Sequence, residues 1–154
     1  MTPANEAAPR RAHAGDVAAI EALQHAAYAR NRILLGVEPL PLTVDYNDIV
    51  ARMEVWLFGP IEALRGVLAL EAEPRALLIW SIAASPKAQG AGLGGVMLDF
   101  AHGRARELSL PALRLYTGQK LQSNVDWYRR RGFAIDRIEA LADRTVVHMS
   151  KRLA

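Results

Sequence analysis

The chain has 154 residues, 51% of them apolar and 23% charged, with no cysteine. That is the size and composition of one soluble globular domain over 1–154, able to bury about 70% of the surface of the open chain. Disulfides, a thiolate nucleophile and Cys-ligated metals are excluded, and a net charge of only +3 with scattered signs argues against a nucleic-acid partner. No apolar run approaches the roughly 18 residues of a membrane span. The start, Met-Thr-Pro-Ala-Asn-Glu, lacks the basic and apolar parts of a signal peptide, so a cytoplasmic protein without membrane contact is expected.

Residues 1–9 are Ala/Pro-rich and read as a flexible end, followed by a short strand near 10–13. Asp16 reads as a helix N-cap. Val17, Ile20, Leu23, Ala27 and Tyr28 then recur at three- and four-residue spacing, which predicts a helix to about residue 30. Pro39 and Pro41 forbid a helix around them, and a second short helix is predicted over 44–52, capped by Thr43 or Asp45. Stretches 55–58, 66–70 and 77–84 read as strands, punctuated by Gly59-Pro60 and Glu73-Pro74.

After Ser85-Pro86 comes Gly90-Ala91-Gly92-Leu93-Gly94-Gly95, opening a helix whose predicted apolar face is Val96, Met97, Phe100, Ala101, Ala105 and Leu108. Pro111 ends it and 113–116 is a strand. Ser123 is a candidate cap for a fourth helix reaching 131, stopped by Gly132; 133–138 and 145–153 close the chain as an antiparallel pair. The order predicts a mixed α/β fold with six to seven strands and about four helices.

Four glycines in six residues at a strand–helix junction point to an anion site. The first amides of a helix lack internal partners and lie at the positive end of its dipole, and glycine lets a phosphate reach them. A Walker A loop is excluded, because Val96 follows Gly95 where that motif needs lysine. Gly90-x-Gly92-x-x-Gly95 formally matches a dinucleotide fingerprint. However, 85–89 intervene between strand and glycine, the strand Leu113-Arg114-Leu115-Tyr116 carries no acidic residue, and only 59 residues follow Gly95. A nucleotide-dependent oxidoreductase is therefore a minor alternative.

Gln89-Gly90-Ala91-Gly92-Leu93-Gly94 resembles the Q/R-x-x-G-x-G/A loop of the GNAT family of N-acetyltransferases. Asn124 with Tyr128, and Gly132-Phe133, resemble that family's later N-x-x-x-Y and G-F motifs, so the likeness runs from about 55 to 153. The resemblance implies a mostly antiparallel twisted sheet with acetyl-CoA in a gap between the fourth and fifth strands. It also implies backbone amides of Gln89, Gly90, Ala91, Gly92, Leu93, Gly94 and Gly95 around the diphosphate. The strand edge at Ile82, Ala83 and Ala84 would lie along the pantetheine arm. By the same resemblance Asn124 binds the coenzyme and Tyr128 donates a proton to the departing thiolate. A phenol near pKa 10 and a thiol near 8.5 differ by only about 2 kcal/mol, which permits this. Lys87 and Arg129 are candidates for the 3′-phosphate.

The implied reaction is direct acetyl transfer to a primary amine of a small molecule or peptide, with acetyl-CoA as co-substrate and no metal. The four histidines have no ligand spacing. Freeing the lone pair of a lysine-like ammonium at pH 7 costs roughly 4.6 kcal/mol. The predicted fourth strand, Leu77-Leu78-Ile79-Trp80-Ser81-Ile82, carries no carboxylate to accept that proton, with Trp80 where an acidic or polar residue is expected. Glu54 is the substitute the sequence offers, beside ordered water reaching a backbone carbonyl. Asp45 and Asp48 are positioned in the sequence to attract a cationic acceptor. Dimerisation is common in the family and stays open, as does a non-catalytic acetyl-CoA-binding module.

Overall fold

The computed structural model describes residues 8–153; of the end read as flexible, 1–7 lie outside them. The strands are β1 (Arg10–Arg11), β2 (Glu54–Phe58), β3 (Gly66–Ala72), β4 (Leu77–Ala84), β5 (Ala112–Gly118), β6 (Ala134–Ala140) and β7 (Thr145–Arg152). The helices are α1 (Val17–Leu35), α2 (Tyr46–Arg52), α3 (Leu93–Glu107) and α4 (Gln122–Arg130). The strands form one sheet in the order β1-β2-β3-β4-β5-β7-β6. Every neighbouring pair is antiparallel except β4 and β5, which are parallel because α3 carries the chain back across the sheet between them. The mixed α/β, mostly antiparallel architecture is as the sequence implied.

Alternation along the strands feeds two cores, one on each face. On one, Leu68, Leu70, Leu77, Ile79, Leu113 and Leu115 pack with Met97, Ala101 and Ala105 of α3 and Val125 of α4. On the other, Val55, Leu57, Val67 and Ala69 pack with Ile20 and Leu23 of α1 and Ile49 of α2. The buried face of α3 is Leu93, Met97, Leu98, Ala101 and Ala105, a row at four-residue spacing with one neighbour. Val96, one residue and about 100° away from Met97, is 41% exposed rather than part of that face.

Several element ends differ from the sequence expectation for local reasons. Asp16 is not an N-cap by its side chain. His13 caps the 3-10 turn Ala14–Asp16, its Nδ1 accepting from the Gly15 amide at 3.1 Å, while Asp16 accepts from the His13 amide at 2.9 Å. Helix α1 continues past the last residue of its apolar stripe to Leu35 and stops only at Gly36, which takes the left-handed conformation (φ 73°). Arg32, Ile33 and Leu34 are exposed, but Arg and Leu favour a helix and buried Leu35 anchors its last turn until a glycine releases it. Asp45, not Thr43, caps α2 through the Asn47 amide at 2.9 Å. Helix α4 starts at Gln122 with no side-chain cap, so Ser123 is helical rather than its cap.

Two features of the sheet open a gap. Beyond Leu77↔Leu113 and Leu78↔Arg114, β4 and β5 have no further paired residues. On its other edge, β4 pairs Ser81 with Ala69 and Ile79 with Leu70, so Trp80 is an extra residue, a bulge that bends the strand and raises its twist. The C-terminal half of β4 therefore diverges from β5, which stays bound along its whole length to β7.

Gly66 sets how closely α3 sits on this sheet. A Cβ there would lie 2.9 Å from Met97 Sδ, 3.0 Å from Leu93 Cδ2 and 3.3 Å from the Ala83 carbonyl oxygen. The first two can yield but the backbone oxygen cannot, so Gly66→Ala is expected to destabilise by about 1–3 kcal/mol, read as a lower urea midpoint. The Arg10 guanidinium, at 2.9 and 3.0 Å, holds the Asp16 carboxyl down to about 2. A depressed carboxyl stabilises the fold above its unfolded pKa near 4 and loses that contribution as pH falls toward 2. Asp16→Asn should thus melt earlier than wild type at pH 7, with the difference closing below about pH 3.

Candidate active site

The divergence of β4 from β5 opens a cavity of about 740 Å³, within the size range of small-molecule sites. One wall is the loosened strand, with Ile79, Trp80, Ser81, Ile82, Ala83 and Ala84 all lining it. Facing it are Leu115, Tyr116, Thr117 and Gly118 of β5, with Asn124, Trp127 and Tyr128 of α4. Past Leu78 the β4 edge has no strand partner on this side, which leaves room for a ligand along it, while at its end the Ala84 carbonyl accepts from Gln89 Nε2 at 3.2 Å.

At one end the glycine loop closes the cavity. Gln89 and Gly94 line it, with Gly90, Ala91 and Gly92 exposed between them. Gly90 and Gly92 have φ of 83° and 84°, the left-handed region that suits glycine. The amides of Leu93, Gly94 and Gly95 open α3 ahead of its first backbone bond, Val96 N–H to the Gly92 carbonyl at 3.2 Å. The Leu93 side chain is buried in the core, so only its amide is available to a ligand. A Cβ at Gly90, Gly92 or Gly95 would meet nothing within 4 Å, whereas one at Gly94 would lie 3.2 Å from the Trp127 ring. That ring is in turn covered by the Arg131 guanidinium, 3.8 Å from its centroid, a contact within α4 and its C-cap that holds the ring in place.

Asn124 and Tyr128, four residues apart, share the cavity face of α4. Tyr128 is 8% exposed, with its ring edge-on to Trp127 and Phe133. Burial pushes its phenol well above the ordinary 10, and the neighbouring Tyr28 adds to the rise. The hydroxyl is therefore the protonated form at every physiological pH.

Several residues singled out from the sequence, Lys87 among them, do not line the cavity. Glu54 does not line the cavity. Its carboxylate takes Arg104 of α3 at 2.7 and 2.9 Å and the Trp56 indole N–H at 3.1 Å. Burial opposes its charge, but these hydrogen bonds outweigh that and hold the carboxyl below its usual range. It ties α3 to β2. Arg129 is also off the cavity, and Arg130 lines it instead, since three residues on from Trp127 returns to the same helix face. Asp45 is engaged as the cap of α2 and Asp48 bonds Arg52 at 2.8 Å, and neither reaches the cavity.

What the sequence reading missed is a hydroxyl network at the bulge. Fully buried Gln24 donates from Nε2 to the Tyr46 hydroxyl at 2.9 Å and to Ser81 Oγ at 3.1 Å. Ser81 also meets the Tyr28 hydroxyl at 2.9 Å, and Tyr46 donates to the Pro41 carbonyl at 2.6 Å. Ser81 and Tyr28 reach the cavity wall. The available signal was the four-residue spacing of Gln24 and Tyr28, which places an amide on a stripe otherwise read as apolar.

The Acetyltransferase (GNAT) family model matches residues 21–133. The chain belongs to the GNAT acetyltransferase family. Solved structures share the GNAT fold at low identity. An N-acetyltransferase, PaiA, of Thermoplasma acidophilum in complex with coenzyme A aligns with TM-score 0.77 and 12% identity, over 95% of this chain and 98% of that one. The ribosomal-protein-S18-alanine N-acetyltransferase of Escherichia coli gives 0.75 and 14%, over 96% and 94%. A GNAT family acetyltransferase of Elizabethkingia anophelis with acetyl-CoA bound gives 0.66 and 17%, over 95% and 97%. No curated protein is similar enough in sequence to count as a relative. GNAT acetyltransferases are acyltransferases that use acetyl-CoA, and the residues present fit that ligand: an unpaired strand edge, a loop with room at three glycines, and free helix-start amides. Among the described residues no helix is long and apolar enough to cross a membrane.

Ser81→Ala would strip one partner each from the Gln24 amide and the Tyr28 hydroxyl inside the protein. The expected cost is about 1–3 kcal/mol of stability in urea unfolding, with Ser81→Cys intermediate.

Proposed function

We propose that this chain transfers the acetyl group of acetyl-CoA directly to a primary amine, without an acyl-enzyme. The observation that carries this reading is the parting of β4 from β5 after Leu78, with the glycine loop at one end of the gap and Tyr128 on its wall. A thioester on a long amide-bearing arm matches such a gap, because a bare strand edge can pair with its amides.

In this reading the amides at 90–95 hold the diphosphate, joined by Arg130, and the β4 edge at Ile82, Ala83 and Ala84 orients the arm. Asn124 makes a second contact to it. A β4 amide hydrogen-bonds the thioester carbonyl, which favours negative charge developing there. As the C–N bond forms and the C–S bond breaks, Tyr128 Oη gives its proton to the departing sulfur, and the proton shed by the new amide nitrogen returns through water to the phenolate. Burial that raises the phenol also raises a thiol in the same site, so the difference between them stays small.

Among the described residues the cavity is lined by no Asp or Glu. The acceptor is therefore taken up as the free amine, its proton lost to water at the mouth, and Ser81 and Tyr28 supply hydroxyls that hold its nitrogen. Arg30 and Arg144, which also line the cavity, favour the uncharged amine by like-charge repulsion.

Two results test this. Acetyl-CoA should raise the melting temperature at millimolar concentration, and an amine panel should release free thiol. Stabilisation without any thiol release would mark a binding module instead, and no stabilisation would remove the reading altogether. Tyr128→Phe should lower kcat about 100-fold with little change in KM for acetyl-CoA. In wild type, kcat/KM for the amine should rise close to tenfold per pH unit up to the acceptor's own ammonium pKa. With Tyr128 raised above 10, no alkaline decline is expected below about pH 9. A plateau beginning near pH 6–7 would instead reveal a carboxylate or histidine base.

A further inference from the structure

We propose that the acceptor is a small amine that also carries a carboxylate, an amino acid or a close analogue, and that Arg30 and Arg144 read that carboxylate. This rests on the acetyltransferase reading above and names its substrate class.

The cavity has two ends. One is the coenzyme end, formed by Pro86, Gln89 and Gly94 with Asn124, Trp127 and Arg130 of α4. The other is walled by Arg30, Asn31, Leu34 and Leu35 of α1, the turn at Pro39, Leu40 and Pro41, the end of β5, and Arg144 and Val146 where β7 begins. Trp80, Ser81 and Tyr116 also line the cavity. The second end exists because α1 runs on to Leu35, and Leu35 closes against Gly118 of β5, where an added Cβ would stand 2.6 Å from Leu35 Cδ2.

Charge in this second end is of one sign. The charged residues lining the whole cavity are Arg30, Arg130 and Arg144, with no carboxylate among the described residues. The acidic groups nearby in sequence are engaged away from it: Asp45 caps α2, Asp48 bonds Arg52, and Glu38 accepts from Arg32 at 2.7 Å. Arg30 makes no ion pair among the described residues. Arg144 has only 10% of its side chain exposed, and gives Nε and one Nη2 hydrogen to Asp143, both at 3.0 Å. That is one side of its planar fork, and Nη1 has no partner among the described residues.

A polyamine would bring positive charge toward Arg30, which has no ion pair among the described residues, and toward Arg144, beside which Asp143 is the one carboxylate and is already engaged. A carboxylate beside the reacting amine supplies the missing charge and accepts the unused donors in the geometry arginine favours. It also anchors the amine at a set distance from the thioester. Arg130, on the helix that carries Asn124, faces the coenzyme end and is left to the phosphates.

The test uses the full chain with saturating acetyl-CoA and reads thiol release for matched acceptors: free L-amino acids, the same amino acids as C-terminal amides, their decarboxylated amines, and spermidine. The acid should exceed its amide in kcat/KM by about tenfold or more. That ratio should fall toward one in Arg30→Gln and in Arg144→Gln, and stay in Arg75→Gln, an exposed arginine in the β3–β4 turn. Because the ratio is internal to each enzyme, a partly destabilised variant still reports it. The proposal is overturned if amides or spermidine react as well as acids. It is equally overturned if the ratio survives both substitutions, or if they raise KM for acetyl-CoA instead, which would assign the guanidiniums to the coenzyme. Thiol release from protein or peptide amines with none from any acid in the panel would refute the substrate class while leaving acetyl transfer intact. Failure of acetyl-CoA to bind would refute both.

Discussion

The structure turns on a pairing that is abandoned. β4 and β5 are held together for two residue pairs and then part, and the extra residue at Trp80 bends β4 away. A parallel pair is less stable per residue than an antiparallel one, and β5 has a full antiparallel partner in β7, so β5 follows β7 and β4 follows β3. Peptide groups left bare inside a protein are costly unless something satisfies them. Here the edge without a strand partner faces a cavity, where the proposed ligand arm would complete the sheet. Loop, helix start and α4 are all arranged around that gap.

Keeping the gap open requires stiffness on both faces. On the α3 face, Gly66 lets the helix sit close, and the Glu54–Arg104 pair, with Arg104 at 6.0 Å over the Trp56 ring, fixes its far end. On the other face the bulge residue Trp80 meets Tyr46 edge-on at 6.3 Å, and Ser81 is tied to Gln24 and Tyr28. The network thus braces β4 from α1 and α2 where it no longer has β5. It also occupies the part of the wall where the sequence reading looked for a carboxylate. The described cavity lining holds hydroxyls and arginines but no acid, and both the proposed chemistry and the proposed substrate class are argued from that one electrostatic feature.

Much of the fold was legible because its signals are local. Glycines at a strand–helix junction, prolines that forbid helix, and apolar spacings of two, three and four each act within a few residues. The order of these signals sufficed for the family resemblance. Arg129 and Arg130 show where that legibility ended: either is a credible phosphate contact by composition, and only the phase of α4 against the sheet separates them. Glu54 is a similar case, since nothing near it in sequence reveals that Arg104, fifty residues on, takes both its oxygens. The end of α1 was misjudged because its apolar stripe stops before the helix does. Of the five residues between the two ends, Asn31, Leu34 and Leu35 line the cavity.

The sequence by itself determined the element order, the glycine loop at the start of α3 and the pairing of Asn124 with Tyr128 on one helix face, because backbone conformation and helical periodicity are set by neighbouring residues. Tertiary structure alone decided which charges meet the cavity, for ion pairs form across the sheet between residues tens of positions apart. The same holds for the place where two strands separate, which depends on competition between partners that only the folded sheet brings together.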